Sequence, residues 1–161
     1  MPSVSNSSNI RASNTVVSLS SDNGNRIIIQ LDNSVIGSPG FSAGDAIHYS
    51  GICGCYKRSR ADDPATAEVF GVVESLDISG IANVVLYGSI GLTGYIDMSD
   101  GGSGGHDVYF LSGLTAGKLQ SLAPNTQDHI VKAVYQKAPH GNFTGAVMNY
   151  IGYKVPSTWA L

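Results

Sequence analysis

The residues able to do chemistry are few and scattered. Gly101-Gly-Ser-Gly-Gly105 spells the Gly-x-Ser-x-Gly string of a nucleophile elbow. That elbow needs a strand before it and a helix after it, whereas a Gly-rich turn followed by a strand is expected here, so Ser103 is not read as a nucleophile. His48, His106, His129 and His140 share no spacing, and Cys53-x-Cys55 supplies at most two metal ligands, so no metal site is assigned. The two cysteines stand two positions apart, a spacing too short for an ordinary framework disulfide, and nothing suggests an oxidised compartment. Asp62-Asp63 and the pair Asp97 and Asp100 fall in loops, where Asx turns and solvation explain them without a catalytic cleft. Lys57-Arg58-Ser59-Arg60 carries three charges, enough for salt bridges across a protein contact but not for nucleic acid. The strings Asn6-Ser7-Ser8 and Asn142-Phe143-Thr144 fit glycosylation acceptors, and both are discounted for a chain made in a cytoplasm. No catalytic, cofactor-binding or metal residue is assigned, no cofactor is expected, and the chain is read as non-enzymatic.

The elements that would position such groups are strands. Sliding the sequence against itself by 62 positions lays Asp45 on Asp107, Ser50 on Ser112 and Gly51 on Gly113. The same register lays Val69, Val72 and Val73 on Val131, Val134 and Tyr135, and Val85 and Leu86 on Val147 and Met148. Three strand-like runs recur in one order, which reads as a duplicated three-strand unit with halves at about 44–91 and 105–152. No window longer than a turn or two has a 3.6-residue period; Asp63-Pro64-Ala-Thr-Ala-Glu68 reads as one helical turn. Ile81 to Ile90 is apolar on both faces at Val84, Val85 and Leu86, which suits a central strand. Gly51 to Asp63 reads as an exposed excursion rather than a strand. The fold class expected is all-β, an antiparallel β-sandwich or barrel with an extended N-terminal arm.

Composition agrees. A chain of 161 residues with 42% hydrophobic residues can bury a core, and 20 glycines with 13% charged residues describe short strands and tight turns. A net charge of −3 excludes a broad phosphate-binding face, so nucleic acid is not an expected partner. No run of 18 apolar residues is present, and the polar start Met-Pro-Ser-Val-Ser-Asn lacks the features of a secretion signal, so no membrane is expected either. Residues 1–25 hold eight Ser and five Asn and read as an arm running into a first hairpin, with Thr15–Ser20 and Arg26–Leu31 flanking Asp22-Asn23-Gly24-Asn25. Residues 26–155 form the single β domain, and 156–161 a tail that ends in the lone tryptophan, Trp159. The candidate contact residues are Ile10, Val16 and Val17 of the arm, Tyr56, Arg58 and Arg60 of the excursion, and Trp159.

The segments Ala67-Glu-Val-Phe-Gly-Val-Val-Glu-Ser75, Asp107-Val-Tyr-Phe-Leu-Ser112, Thr115-Ala-Gly-Lys-Leu-Gln120, Ala123-Pro124, Ile130-Val-Lys132 and Val147-Met-Asn-Tyr-Ile-Gly152 resemble a β-rich module of structural proteins of tailed bacteriophages, including decoration and tail-fibre-like proteins of cyanophages and marine phages. The resemblance spans roughly 43–152 and brings no catalytic residues with it. It departs from fibres, which continue into shafts, because this chain ends nine residues after the module. What it implies is a virion protein synthesised in the host cytoplasm: a capsid decoration or cement protein, as a dimer or trimer, bridging copies of the major capsid protein. The alternative it implies is a tail-associated fibre-like adaptor or receptor-binding protein that meets other tail proteins, or a host glycan through the loops 51–63 and 91–105.

Overall fold

The computed structural model describes residues 8–12, 15–22, 26–91, 108–137, 144–148 and 152–157. Its strands are β1 (Ser8–Ala12), β2 (Thr15–Asp22), β3 (Arg26–Leu31), β4 (Ala46–Ser50), β5 (Cys55–Arg58), β6 (Gly71–Leu76), β7 (Ala82–Gly91), β8 (Val108–Leu111), β9 (Leu119–Gln120), β10 (Ile130–Val131), β11 (Ala133–Lys137), β12 (Thr144–Val147) and β13 (Tyr153–Lys154). Among the described residues the one helical element is a 3-10 turn at Asn33–Val35, so the all-β expectation holds. No helix among the described residues is long and apolar enough to cross a membrane.

The ladders within the sheets are antiparallel, and their order makes β7 the branch point. Strand β3 runs along one edge of β7 from Leu31↔Ala82 to Arg26↔Gly88. On the other edge, β6 pairs at Val72↔Val85 through Leu76↔Ala82, and β12 takes over at Val147↔Gly88 through Thr144↔Gly91. A bulge between Ile27 and Ile28, opposite Leu86, bends β7 where this handover occurs. One branch then continues through β4 to β5, the other through β11 and β8 to β9, and the sheet curls into a half-barrel.

The duplication survives in the pairing. In the first half β4 pairs β6 and β6 pairs β7; at the 62-residue offset β8 pairs β11 and β11 pairs β12. Ser75↔Asn83 maps directly onto Lys137↔Gly145. Elsewhere the registers differ by a residue or two because the bulges fall differently: within β11 between Ala133 and Tyr135, and within β6 between Val73 and Ser75.

Alternation sorts the apolar residues into two layers. Ala46, Val72 and Val85 face the concave side and pack with Tyr109, Leu111, Leu119, Val134, Tyr135 and Val147 of the second half. Ile47, Val73 and Val84 face the other way, onto Ile29, Leu31, Val35 and the flanking Ile36 and Phe41. Val84 and Val85 are both fully buried, in opposite layers, which is the central position expected of this run. Tyr135 lies 5.7 Å from Tyr109 between ring centroids, and burial, with Tyr109 adding, pushes its phenol up to about 12.

Turns follow local chemistry. The Asp77 carboxylate accepts from the Ser79 hydroxyl and from the Ser79 and Ile81 amides and closes the β6–β7 hairpin, and these hydrogen bonds, the hydroxyl's first, hold it below the usual carboxylate range. Ala67 N–H donates to the Asp63 carbonyl at 2.9 Å, so the segment read as one helical turn forms a hydrogen-bonded turn that does not continue as a helix. Residues 8–22 continue the sheet of their own chain: β2 pairs β3 up to Asp22↔Arg26, and β1 pairs β2.

Two sequence readings need correction. The excursion 51–63 contains a strand, β5, paired to β4 from Ile47↔Arg58 to Ser50↔Cys55, and Ser59 and Ala61 beyond it are fully buried. A charged edge strand does not alternate apolar and polar residues, which is why its composition concealed it. Cys53 and Cys55 are joined to each other, with Cα atoms 5.1 Å apart, closing the β4–β5 turn locally instead of tying distant elements together.

Candidate functional site

The handover at β7 leaves a gap in the sheet. As β7 bends away from β6 to meet β12, the chain just before β6 loses its neighbour, and a cleft of about 400 Å³ opens, lined by His48, Tyr49, Glu68, Val69, Phe70 and Leu86. Tyr49 stands at its rim, 57% exposed, edge-on to Tyr56 at 5.3 Å, and Tyr56 in turn lies 4.9 Å from Phe70. An aromatic row thus runs along the outer face beside the cleft. Tyr87 and Ile27, a cross-strand pair on β7 and β3, lie on the strand residues next to Leu86 and remain 61% and 42% exposed.

The cleft's polar wall is His48 and Glu68. His48 is buried, its Nδ1 3.5 Å from Ser59 Oγ, and Ser59 Oγ donates to the Glu68 carbonyl at 2.8 Å. Burial, reinforced by Lys57, lowers the His48 pKa, with Glu68 opposing. The hydroxyl of Ser59 is fully buried and already donating, so this Ser-His-Glu proximity does not present a nucleophile to the cleft. Glu68 is exposed and has no ion pair within contact distance among the described residues, although Lys132 lies close enough for its charge to act on that amine.

Comparison of the halves marks the cleft as particular to the first. At the 62-residue offset its lining maps onto Phe110, Leu111, Ile130, Val131, Lys132 and Met148, which replaces His48 and Glu68 by apolar side chains and Tyr49 by a fully buried leucine. There the gap is closed: β13 pairs β10 at Ile130↔Lys154 and Val131↔Tyr153. The first half has no counterpart of that closure among the described residues.

The charged contact residues point partly inward. Asp45 is fully buried, and its Oδ2 accepts from the Ser42 amide at 2.7 Å. Arg58 Nε lies 2.8 Å from that oxygen and Lys118 Nζ 3.3 Å from Oδ1, ionic contacts in which neither Nε nor Oδ1 reaches hydrogen-bond alignment. Arg58 therefore serves the junction between the halves. Arg60 is bonded to Asp62, whose carboxyl this contact holds below its ordinary range. Tyr56 is half-buried in the aromatic row. Ile10, Val16 and Val17 lie in β1 and β2, with Ile10 opposite Val17; Trp159 lies outside the described residues, as do Asp97, Asp100, the 101–105 glycine run, His106 and His140.

A second groove, about 180 Å³, lies between Gly113, Leu114, Leu122, Pro124 and His129. Among the described residues no group of three His, Cys, Asp or Glu side chains converges as a metal site would require. Sequence reasoning missed the cleft because its members come from β4, β7 and a segment between strands. One available signal was the substitution of His48 and Glu68 for Phe110 and Ile130 across the repeat.

No family model, no curated protein and no solved structure matches this chain.

Proposed function

We propose that the protein is a non-enzymatic virion component of a tailed bacteriophage, a capsid decoration protein whose oligomer bridges neighbouring copies of the major capsid protein. The observation that carries the reading is the exposure of large side chains on paired strands: Ile27 and Tyr87 as a cross-strand pair, and Tyr49 edge-on to Tyr56. Such side chains anchor protein contacts, because a preorganised aromatic loses little entropy when it is covered. Several modest contacts on one oligomer then add through effective concentration, which suits a shell under internal pressure.

Copy number tests it. Quantitative mass spectrometry of purified particles should find on the order of hundreds of copies, as a shell-covering protein requires. A count of about six to twelve would instead fit the tail-associated adaptor and remove the decoration reading.

A further inference from the structure

The geometry points to the β7 cleft as a docking slot for a short extended segment of another polypeptide, an aromatic residue followed by a basic one, added as a strand beside Ala67–Phe70. This goes beyond the capsid reading and does not depend on it.

The template is in the molecule itself. In the second half the segment Ile130–Val131 is covered by Tyr153–Lys154, and the pairing is extended at its Val155 end: Val155 N–H donates to the His129 carbonyl at 2.8 Å and Asp128 N–H to the Val155 carbonyl at 3.2 Å. Gly152 lets the incoming chain approach, since a Cβ there would stand 2.7 Å from Ile130 Cγ2. The equivalent segment of the first half is Glu68–Val69. Among the described residues, the Glu68 amide and both backbone polar groups of Val69 have no backbone partner, while the neighbouring Phe70 N–H is bonded to Ile47. Unpaired strand backbone at the edge of an open cleft is the substrate of strand addition, in which main-chain bonds give affinity and side-chain contacts give choice.

The chemistry of the occupant follows from the register. Lys154 lies opposite Ile130, whose equivalent is Glu68, so a basic residue of the added strand would meet the exposed carboxylate. Tyr153 lies opposite Val131, the equivalent of Val69, so an aromatic residue one place earlier would take the face of the cleft that Val69 and His48 line, opposite to that of Phe70 and Leu86. Polar and aromatic residues at His48, Tyr49 and Glu68, where the second half has Phe110, Leu111 and Ile130, suit a more polar occupant than the strand that covers the second half, and none of the described residues takes that place.

The probe is a capped hexapeptide copying residues 152–157, Gly-Tyr-Lys-Val-Pro-Ser, titrated into the full-length ¹⁵N-labelled protein. Saturable shifts confined to the amides of Glu68, Val69 and Phe70 and their neighbours are expected. Glu68→Lys should weaken binding about fivefold, and a peptide with Glu in place of its Lys should bind that variant better than the original peptide does. Glu68 is exposed, so the variant keeps the fold, which its unshifted core amides would verify. No saturable shift, shifts indifferent to the charge swap, or the same amides responding to neutral oligosaccharide and not to peptide would each overturn the proposal. Concentration-dependent self-association abolished by Glu68→Lys, without peptide binding, would also overturn it, because a second copy would then own the slot.

Discussion

Asp45 is the residue on which the two halves meet. Its carboxylate, fully buried, draws Arg58 from β5 and Lys118 from the turn before β9, and Gly117 N–H donates to the Ser59 carbonyl at 2.7 Å alongside. Gly117 has φ +82, and a Cβ there would lie 2.9 Å from Asp45 Oδ1, so the turn can press against the carboxylate only without a side chain. Asp45→Asn leaves two cations facing a neutral amide, and the expected loss is roughly 3 kcal/mol of unfolding free energy, read by urea denaturation. His48 gives a pH dependence of known sign. Its folded pKa is depressed below 6.5, so the unfolded chain binds its proton first as pH falls. The stability it contributes is present above the unfolded value and is lost as pH drops through the folded one. Denaturation midpoints measured from pH 7.5 to 5 should show this fall, and His48→Phe, the residue at the equivalent position 110, should flatten it. Little of this was legible beforehand. Asp45 was noticed only as a repeat match, and a buried carboxylate with two cations from distant segments has no local sequence signature.

At the scale of elements, β5 is the instructive case. Tyr56-Lys57-Arg58 has no apolar alternation, so local pattern assigned it to a loop; pairing with β4 made it a strand. The repeat held the missing information, because the 62-residue offset lays Lys57 and Arg58 on Leu119 and Gln120, the residues of β9. The disulfide between Cys53 and Cys55 belongs to this hairpin and bounds a loop of only three residues. Chain-entropy reasoning gives such a short closure no more than about 2 kcal/mol. Reduction with a phosphine should therefore leave the protein folded, with a small fall in melting temperature, and should raise the thiols that intact-mass alkylation detects from none to two. A large loss of structure on reduction would mean that the turn, not the flanking core, holds β5. The two-residue strands β10 and β13 were likewise beyond local reading, since two residues are too few to carry an alternation.

At the scale of the whole molecule, the duplicated halves are joined through equivalent strands, β7 and β12, pairing antiparallel with each other. Because β7 is ten residues long and β12 four, β7 alone can serve both β6 and β12, and the asymmetry opens the cleft on one side only. The copy number proposed as the test of a shell role belongs to this scale, since it asks what the block as a unit is built into.

The all-β class, the repeat, the N-terminal hairpin and the central burial of Val84 and Val85 were determined by sequence, because alternation and turn chemistry act between near neighbours. Tertiary structure alone decided the bend of β7, the cation pair on Asp45, the pairing of β5 and the cleft beside Glu68. Each of these depends on which distant segments compete for the same edge or the same buried charge, and that competition is settled only when the sheet closes.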